Sequence, residues 1–492
     1  MGAPLYTIAE LRAIEKERSR DLPAGTLMAR AGAAAASFIG AMRAGETLSI
    51  CVLAGPGNNG GDGYVTATEL RAARHEVTCF RLAEPTTDEA RGAFNAWRAA
   101  GGNTRTDLPA DGRFDVIVDG LLGIGQTRPL QGALLAASQW SNAQRAPVVA
   151  LDVPSGLDAD RGCWVGGVEG VSATSTITFI GDKPGLHTGD GLDAAGPVTL
   201  DALGTEPTAS RIALLEPFDF APVIQPRRRN THKGTYGKTL VIGGNSGMVG
   251  AALLAARAAL RIGAGRVYVD CIGAPEFRVD PLQPELMFSP YASVDNLQSI
   301  IIGCGLGTDD AARRALQTAL DSDASLVIDA DGLNVLSRGP ALADHLSARG
   351  APTVLTPHPL EAARLLETSV EDVQLDRVAS ARELAARYRS VVVLKGAGTV
   401  IATPGRSVMI NPTGSAALAT AGTGDVLAGL IGGLLAQHFD ARQATLAAVW
   451  LHGAAGQSSE IGIVASDVAP RAAFELQRLR LGRPGASDAT LY

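Results

Sequence analysis

Thr420-Ala-Gly-Thr-Gly-Asp425 runs without a break into Val426-Leu-Ala-Gly-Leu-Ile-Gly-Gly-Leu-Leu-Ala436, a Gly-rich turn opening an apolar helix. The first N–H groups of a helix have no partner inside it, and its dipole adds partial positive charge there, so such a turn suits a phosphate. Asp425 is the odd member, because a carboxylate beside bound phosphate is repelled unless it has a task. One task is general base, taking the proton from a hydroxyl that attacks phosphorus. The other reading is a helix-end charge that merely favours the dipole. The turn alone leaves both open.

Upstream of this turn the pattern is strand, turn, helix. Lys238-Thr-Leu-Val-Ile-Gly-Gly-Asn245 leads into a helix over 250–262, and apolar strands are expected at 266–271, 299–303, 326–329, 353–355 and 391–394. The first half repeats the theme. A capping box, Thr7-Ile-Ala-Glu10, starts one helix and an Ala-rich helix follows over 26–42. Strand-like runs at 48–54, 77–82, 115–119, 148–153 and 176–180 then alternate with helical ones. Near-continuous apolar strands separated by helices mean parallel sheets covered on both faces, with ligands at the strands' carboxyl ends. Pro217, Pro222, Pro226 and Arg227-Arg-Arg229 interrupt the alternation and read as a solvated linker. The expectation is two tandem three-layer α/β domains, 1–216 and 233–492, joined by a linker at 217–232.

Composition narrows the function. At 492 residues the chain exceeds one ordinary core. A net charge of −7 gives no basic field for nucleic acid, and no run of 18 apolar residues suggests a membrane span. Five cysteines with no C-x-x-C pair argue for reduced thiols rather than a disulfide framework or zinc site. A cytoplasmic protein without nucleic-acid or membrane partners is expected, assembled as a homo-oligomer.

Four clusters in the second half end at strand termini. They are Gly303-Cys-Gly-Leu-Gly307, Asp329-Ala-Asp331, Thr356-Pro-His-Pro359 and Lys395-Gly-Ala-Gly-Thr399. The aspartates stand where Mg²⁺ or phosphate contacts usually lie. Two prolines constrain His358, and Lys395 with its flexible turn could hold a nucleotide's phosphates. Each alone also has a bland explanation: a structural histidine, a solvated lysine. In order along the chain, together with Gly243-Gly-Asn245, Gly250-Ala251 and Gly422-Thr-Gly-Asp425, they resemble the NAD(P)H-hydrate dehydratase branch of the ribokinase-like fold over about residues 228–480.

That resemblance implies a nucleotide-dependent dehydration in which Asp425 is the catalytic base at the substrate hydroxyl. Ala251, Gly307, His358 and Asp425 would contact the hydrated dinucleotide. Lys395, Gly396, Ala397, Gly398, Thr399 and Gly424 would contact ADP, the co-substrate, with Mg²⁺ assisting. Cys304 stands where the family usually has proline.

In the first half, three polar loops occupy the expected strand ends: 55–63, 120–129 and 152–156. Asp152 is the best-placed acid or base there. Asn59, Asp119 and Ser155 could surround a hard cation, since oxygen-only donors fit K⁺ or Mg²⁺ and not zinc. Turn-capping is the plain alternative for either aspartate. Together these loops resemble the NAD(P)H-hydrate epimerase family over about residues 7–215. The resemblance implies dinucleotide contacts at Asn58, Asn59, Gly60, Gly61 and Asp62, at Gly123, Ile124, Gly125, Gln126, Thr127, Arg128 and Pro129, and at Asp152. It also implies K⁺ at Asn59, Asp119 and Ser155. The substrates would be NADHX, NADPHX and ADP.

Two other readings compete. A small-molecule kinase of the ribokinase-like class would use the same Gly-Thr-Gly-Asp turn, but has no need of a fused epimerase. A non-catalytic first domain would not need an intact Asn58–Asp62 motif and Asp152.

Overall fold

The computed structural model describes residues 2–109, 113–457 and 462–482. The chain forms two compact units, one spanning Pro4–Ile212 and the other comprising residues 2–3 and the chain from Ala213 onward. The boundary falls just ahead of the segment expected to be a linker, and 217–232 is exposed over 225–230 but anchored at a few side chains. Phe220 and Val223 are fully buried in the second unit's core, with the Phe220 ring 6.0 Å from Trp450. Arg227 lies 3.8 Å over the Tyr236 ring and donates to the Gly263 carbonyl at 2.8 Å. Prolines and arginines dominate the stretch by count, while two apolar side chains decide where it goes.

The first unit is built on a seven-stranded sheet. Its order is Asn103–Arg105, Glu76–Arg81, Ser49–Ala54, Val116–Gly120, Val148–Leu151, Ser175–Phe179, Val198–Asp201, and every pairing is parallel. Burial on both faces explains the unbroken apolar runs of the central strands. The two edge strands are short and polar, which hid them from an apolar pattern.

One expectation changes here. The Asn-Asn-Gly-Gly-Asp segment is not a loop; it is the opening five residues of helix Asn58–Ala72. Its glycines serve close packing. A Cβ on Gly60 would stand 2.1 Å from the Gly55 carbonyl oxygen, and one on Gly61 2.5 Å from Met28 Cε. A motif expected to be a loop is thus a closely packed helix start.

The second unit's strands run in the order Met287–Phe288, Arg266–Cys271, Lys238–Gly243, Ser299–Ile302, Ser325–Ile328, Thr353–Leu355, Val391–Leu394, Val400–Ala402, Val408–Ile410. Pairings are parallel as far as Val391–Leu394 and antiparallel beyond it. Helix Thr423–Ala436 is buried along almost its whole length. It approaches helix Val249–Arg261 backbone to backbone: a Cβ on Gly429 would meet the Ala255 oxygen at 2.2 Å, and one on Gly433 would meet Ile262 Cγ2 at 2.5 Å. Its other face meets the sheet, where a Cβ on Gly432 would stand 2.3 Å from Ile301 Cγ1.

Candidate active sites

In the first unit the strand ends surround a cavity of about 420 Å³. Asn58, Asn59, Asp62, Gly123, Ile124, Gly125, Gln126 and Asp152 line it. Gly60 and Gly61 lie behind it, shaping the helix turn. Thr127, Arg128 and Pro129 are not among the lining residues. Gln126 ties its loop down, accepting from the Gly156 N–H at 2.8 Å and donating to the Arg128 carbonyl at 2.9 Å.

Asp152 has a left-handed backbone (φ +68°), a conformation that Asp tolerates better than most residues. Its Oδ1 accepts from Lys183 Nζ and from the Phe179 N–H at 3.3 Å. Lys183 is 1% exposed and also donates to Thr178 Oγ1 at 2.6 Å and the Phe179 carbonyl at 3.0 Å. Sequence reasoning missed Lys183, although it follows the Ser175–Phe179 strand exit by four residues. Glu15 and Glu89 also line the cavity unforeseen, from helices Ile8–Arg18 and Asp88–Ala99.

Asp119 and Ser155 are both fully buried. Asp119 Oδ1 accepts from Ser155 Oγ at 2.7 Å and Oδ2 from the Ser155 N–H at 2.8 Å. Burial pushes Asp119 up to about 6 against these hydrogen bonds. Asn59, 7% exposed, has neither side-chain oxygen nor nitrogen satisfied, and Gly123 abuts it: a Cβ there would lie 3.5 Å from Asn59 Oδ1. Buried amides are normally hydrogen-bonded, so this one marks a place for another polar partner.

In the second unit, Gly422 (φ +87°) starts helix Thr423–Ala436 and puts Asp425 in its first turn. One ligand atom each from Cys304, Asp329 and Asp425 lies within 4.8 Å of the others. Burial, then the Asp329 charge, push Asp425 up to about 6, opposed by the Cys304 thiol and Lys395. Lys395 Nζ donates to Asp329 Oδ1 at 2.6 Å and stands 4.0 Å from Glu361 Oε2. Burial alone would lower the Lys395 ammonium, but these two carboxylates hold it above its ordinary value. It is therefore an ion-paired lysine rather than a solvated one. Gly424 lies against it, since a Cβ there would be 3.2 Å from Nζ.

His358 caps helix Pro359–Leu366, its Nδ1 accepting the Leu360 N–H at 3.1 Å, while Nε2 faces Glu361 Oε1 at 3.3 Å. Burial and the Lys395 charge lower the imidazole, so it is neutral at pH 7. Burial pushes Glu361 up to about 7. Glu361 was missed, though its place three residues into a helix after His358 is a capping-box signal. Arg377, also missed, is buried and donates to the Lys395 carbonyl at 3.2 Å, propping the 395–399 turn from beneath. Gly307 donates its N–H to Asp331 Oδ2 at 2.8 Å, and Ala251 opens helix Val249–Arg261 beside Gly305, so both face the same strand ends.

Residues 239–476 match the family described as NAD(P)H-hydrate dehydratase, and residues 24–185 the one described as YjeF-related protein N-terminus. The bifunctional NAD(P)H-hydrate repair enzyme Nnr of Mycobacterium leprae (strain TN) is 38% identical over 481 residues, covering 96% of this chain and 98% of the relative. Its counterpart in Escherichia coli (strain K12) is 39% identical over 417 residues, covering 82% and 79%. The chain belongs to the bifunctional NAD(P)H-hydrate repair enzymes.

Among solved structures, the ADP/ATP-dependent NAD(P)H-hydrate dehydratase of Bacillus subtilis, co-crystallised with ATP/Mg²⁺, is 34% identical. It covers 53% of this chain and 99% of its own, with a TM-score of 0.47. A ribokinase-like superfamily protein of Enterococcus faecalis V583 is 26% identical, covering 56% and 98%, with a TM-score of 0.49. The fold is α/β in both units, as expected. No helix among the described residues is long and apolar enough to cross a membrane.

Proposed function

We propose that the first unit interconverts the R and S forms of NADHX and NADPHX, and that the second dehydrates the S form. The dehydration consumes ADP, yielding AMP, phosphate and NAD(P)H. The observation that carries this reading is Asp425 at the start of a buried helix, with Lys395 and Asp329 beside it and a pKa close to neutrality. Asp425 takes the hydroxyl proton as the terminal phosphoryl group transfers, and phosphate is then a better leaving group than hydroxide. The Gly424 N–H and Lys395 face the transferred group, the 395–399 turn holds ADP, and Ala251, Gly307 and His358 hold the dinucleotide. Asp329 and Asp331 stand where Mg²⁺ would assist.

Asp152 exchanges the proton in epimerisation. Asn59, Asp119 and Ser155 would hold K⁺, whose charge would favour the dinucleotide's pyrophosphate. The fit rests on the orphaned Asn59 amide beside a buried Asp119. The domains are proposed to act as separate catalytic halves of a cytoplasmic homo-oligomer that takes small molecules only. One assay tests the reading: purified protein, mixed NADHX epimers and ADP should restore NADH absorbance until both epimers are consumed. Consumption of the S form alone would remove the epimerase, and no recovery would remove both activities.

A further inference from the structure

Epimerising a hydrate asks for proton chemistry on both faces of one carbon. Water adds to an enamine-type double bond with its hydroxyl on the carbon beside nitrogen, where the lone pair stabilises the cation. Inversion there proceeds by expelling the hydroxyl from one face and adding water to the other. Expulsion needs an acid, addition needs a base, and the two groups must flank the ring. Asp152 supplies one of them.

We propose that Asp62 is the second catalytic carboxyl of the first unit, acting on the ring face opposite Asp152. The proposal rests on the epimerase reading above. Asp62 and Asp152 line the same cavity. Asp62 is the fifth residue of helix Asn58–Ala72, which follows strand Ser49–Ala54, while Asp152 directly follows Val148–Leu151. Strand Val116–Gly120 runs between those two, so the strand exits are two spacings apart, or roughly 10 Å. The cavity that both residues line, about 420 Å³, is large enough to accept a flat ring.

The two carboxyls live in opposite surroundings. Lys183 uses its N–H groups on Asp152 Oδ1, Thr178 Oγ1 and the Phe179 carbonyl, so Asp152 has a buried cation as its partner. The charged groups acting on Asp62 are Asp152, Glu15 and Glu89, all carboxylates. Burial and then these charges keep the proton on Asp62 well above the usual carboxylate range. Glu15 itself is raised by burial, Glu89 and Asp152, with Arg12 and Lys183 pulling the other way. One carboxyl set against a lysine and the other among carboxylates is the arrangement that suits a base and an acid on one substrate.

The step balances. Asp62 gives its proton to the departing hydroxyl as the C–O bond breaks and the nitrogen lone pair forms C=N⁺. Water adds from the Asp152 side, Asp152 takes its proton, and the electron pair returns to nitrogen. The enzyme then holds its proton on Asp152, the form competent for the other epimer, and exchange with solvent resets it.

The test uses full-length protein with K⁺, separated NADHX epimers and oxygen-18-labelled water. Asp62→Asn and Asp152→Asn should each slow inversion by at least about 10²-fold. Each should still exchange the hydroxyl of one epimer without inverting it, and the two variants should choose opposite epimers. ADP-dependent turnover of the S form in the same samples reports that the chain is intact, and Asp62→Ser serves if the Asn variant does not fold. Inversion by Asp62→Asn within about tenfold of wild type overturns the proposal, against the 10²-fold minimum for a proton-transfer group. So does exchange of the same epimer by both variants, or of neither while dinucleotide still binds. A wild-type protein that never interconverts the epimers defeats the epimerase reading itself.

Discussion

Asp425→Asn separates the catalytic base from a helix-end charge by the sign of its effect on stability. The Asp425 carboxyl is raised from 3.8 to about 6, first by burial and then by Asp329. Its folded-state value lies above the ordinary one, so the ionised form costs stability. That cost is absent below about pH 4, grows as pH rises, and is complete above about pH 6. About two units correspond to about 3 kcal/mol, which partial exposure reduces to roughly 1–2 kcal/mol. Asparagine keeps the shape without the charge, so the second unit should melt about 2–4 °C higher at pH 7 per kcal/mol recovered. Dehydratase turnover, followed as NADH absorbance, should meanwhile fall by about 10²–10⁴-fold, or about 3–5 kcal/mol of barrier. ADP binding and epimerisation should persist. In the wild type, turnover should halve near pH 6 and drop about tenfold for each unit below it, since only the carboxylate accepts a proton. A helix-end charge predicts the opposite stability change, a loss of about 0.3–1 kcal/mol. A variant that melts lower, or keeps more than about a tenth of wild-type turnover, refutes the base assignment.

Three further outcomes follow from the geometry. K⁺ in place of Na⁺ should raise the first unit's melting temperature in the wild type but not in Asn59→Ala, because Ala removes the unsatisfied amide; equal shifts would dismiss Asn59 as a ligand. Lys395→Met should cost about 3–5 kcal/mol in urea unfolding, since it strands the buried Asp329 carboxylate, and should abolish ADP use; a near-neutral result would mean that the pair is solvated. Gly60→Ala should destabilise by at least about 1–3 kcal/mol and lower epimerase activity, its Cβ meeting the Gly55 carbonyl, while Gly57→Ala, with open space around it, should be tolerated; equal melting temperatures would refute the packing argument.

The sheets were readable because a strand buried on both faces has to be apolar throughout. Cys51–Ala54 and Ser299–Ile302 leave little choice, and the Asp or Gly that ends each run marks where polar chemistry begins. Asp119, Asp152 and Asp329 were found by that rule. Lys183, Glu361 and Arg377 were not, because each matters through a side chain that reaches a residue outside its own element. Nothing in Gly181-Asp-Lys-Pro184 says that the ammonium turns back onto Asp152. The Asn58–Asp62 helical turn was misread for a related reason: Gly-Gly signals freedom in isolation, and only the positions of Gly55 and Met28 convert it into close packing.

Replacing glycine by alanine inside a helix is a standard route to a stiffer protein, worth about 0.5–1 kcal/mol where space allows. Along Thr423–Ala436 that route is closed at Gly429, Gly432 and Gly433, which meet the Ala255 carbonyl, Ile301 and Ile262 with no room for a methyl group. The helix holding Asp425 is consequently seated over its far half by contacts that admit no side chain, and a shift there would swing the carboxylate at the other end. Evolutionary drift and engineering in this unit therefore face an uneven landscape, in which three glycines remote from Asp425 fix the seat of the helix that carries it.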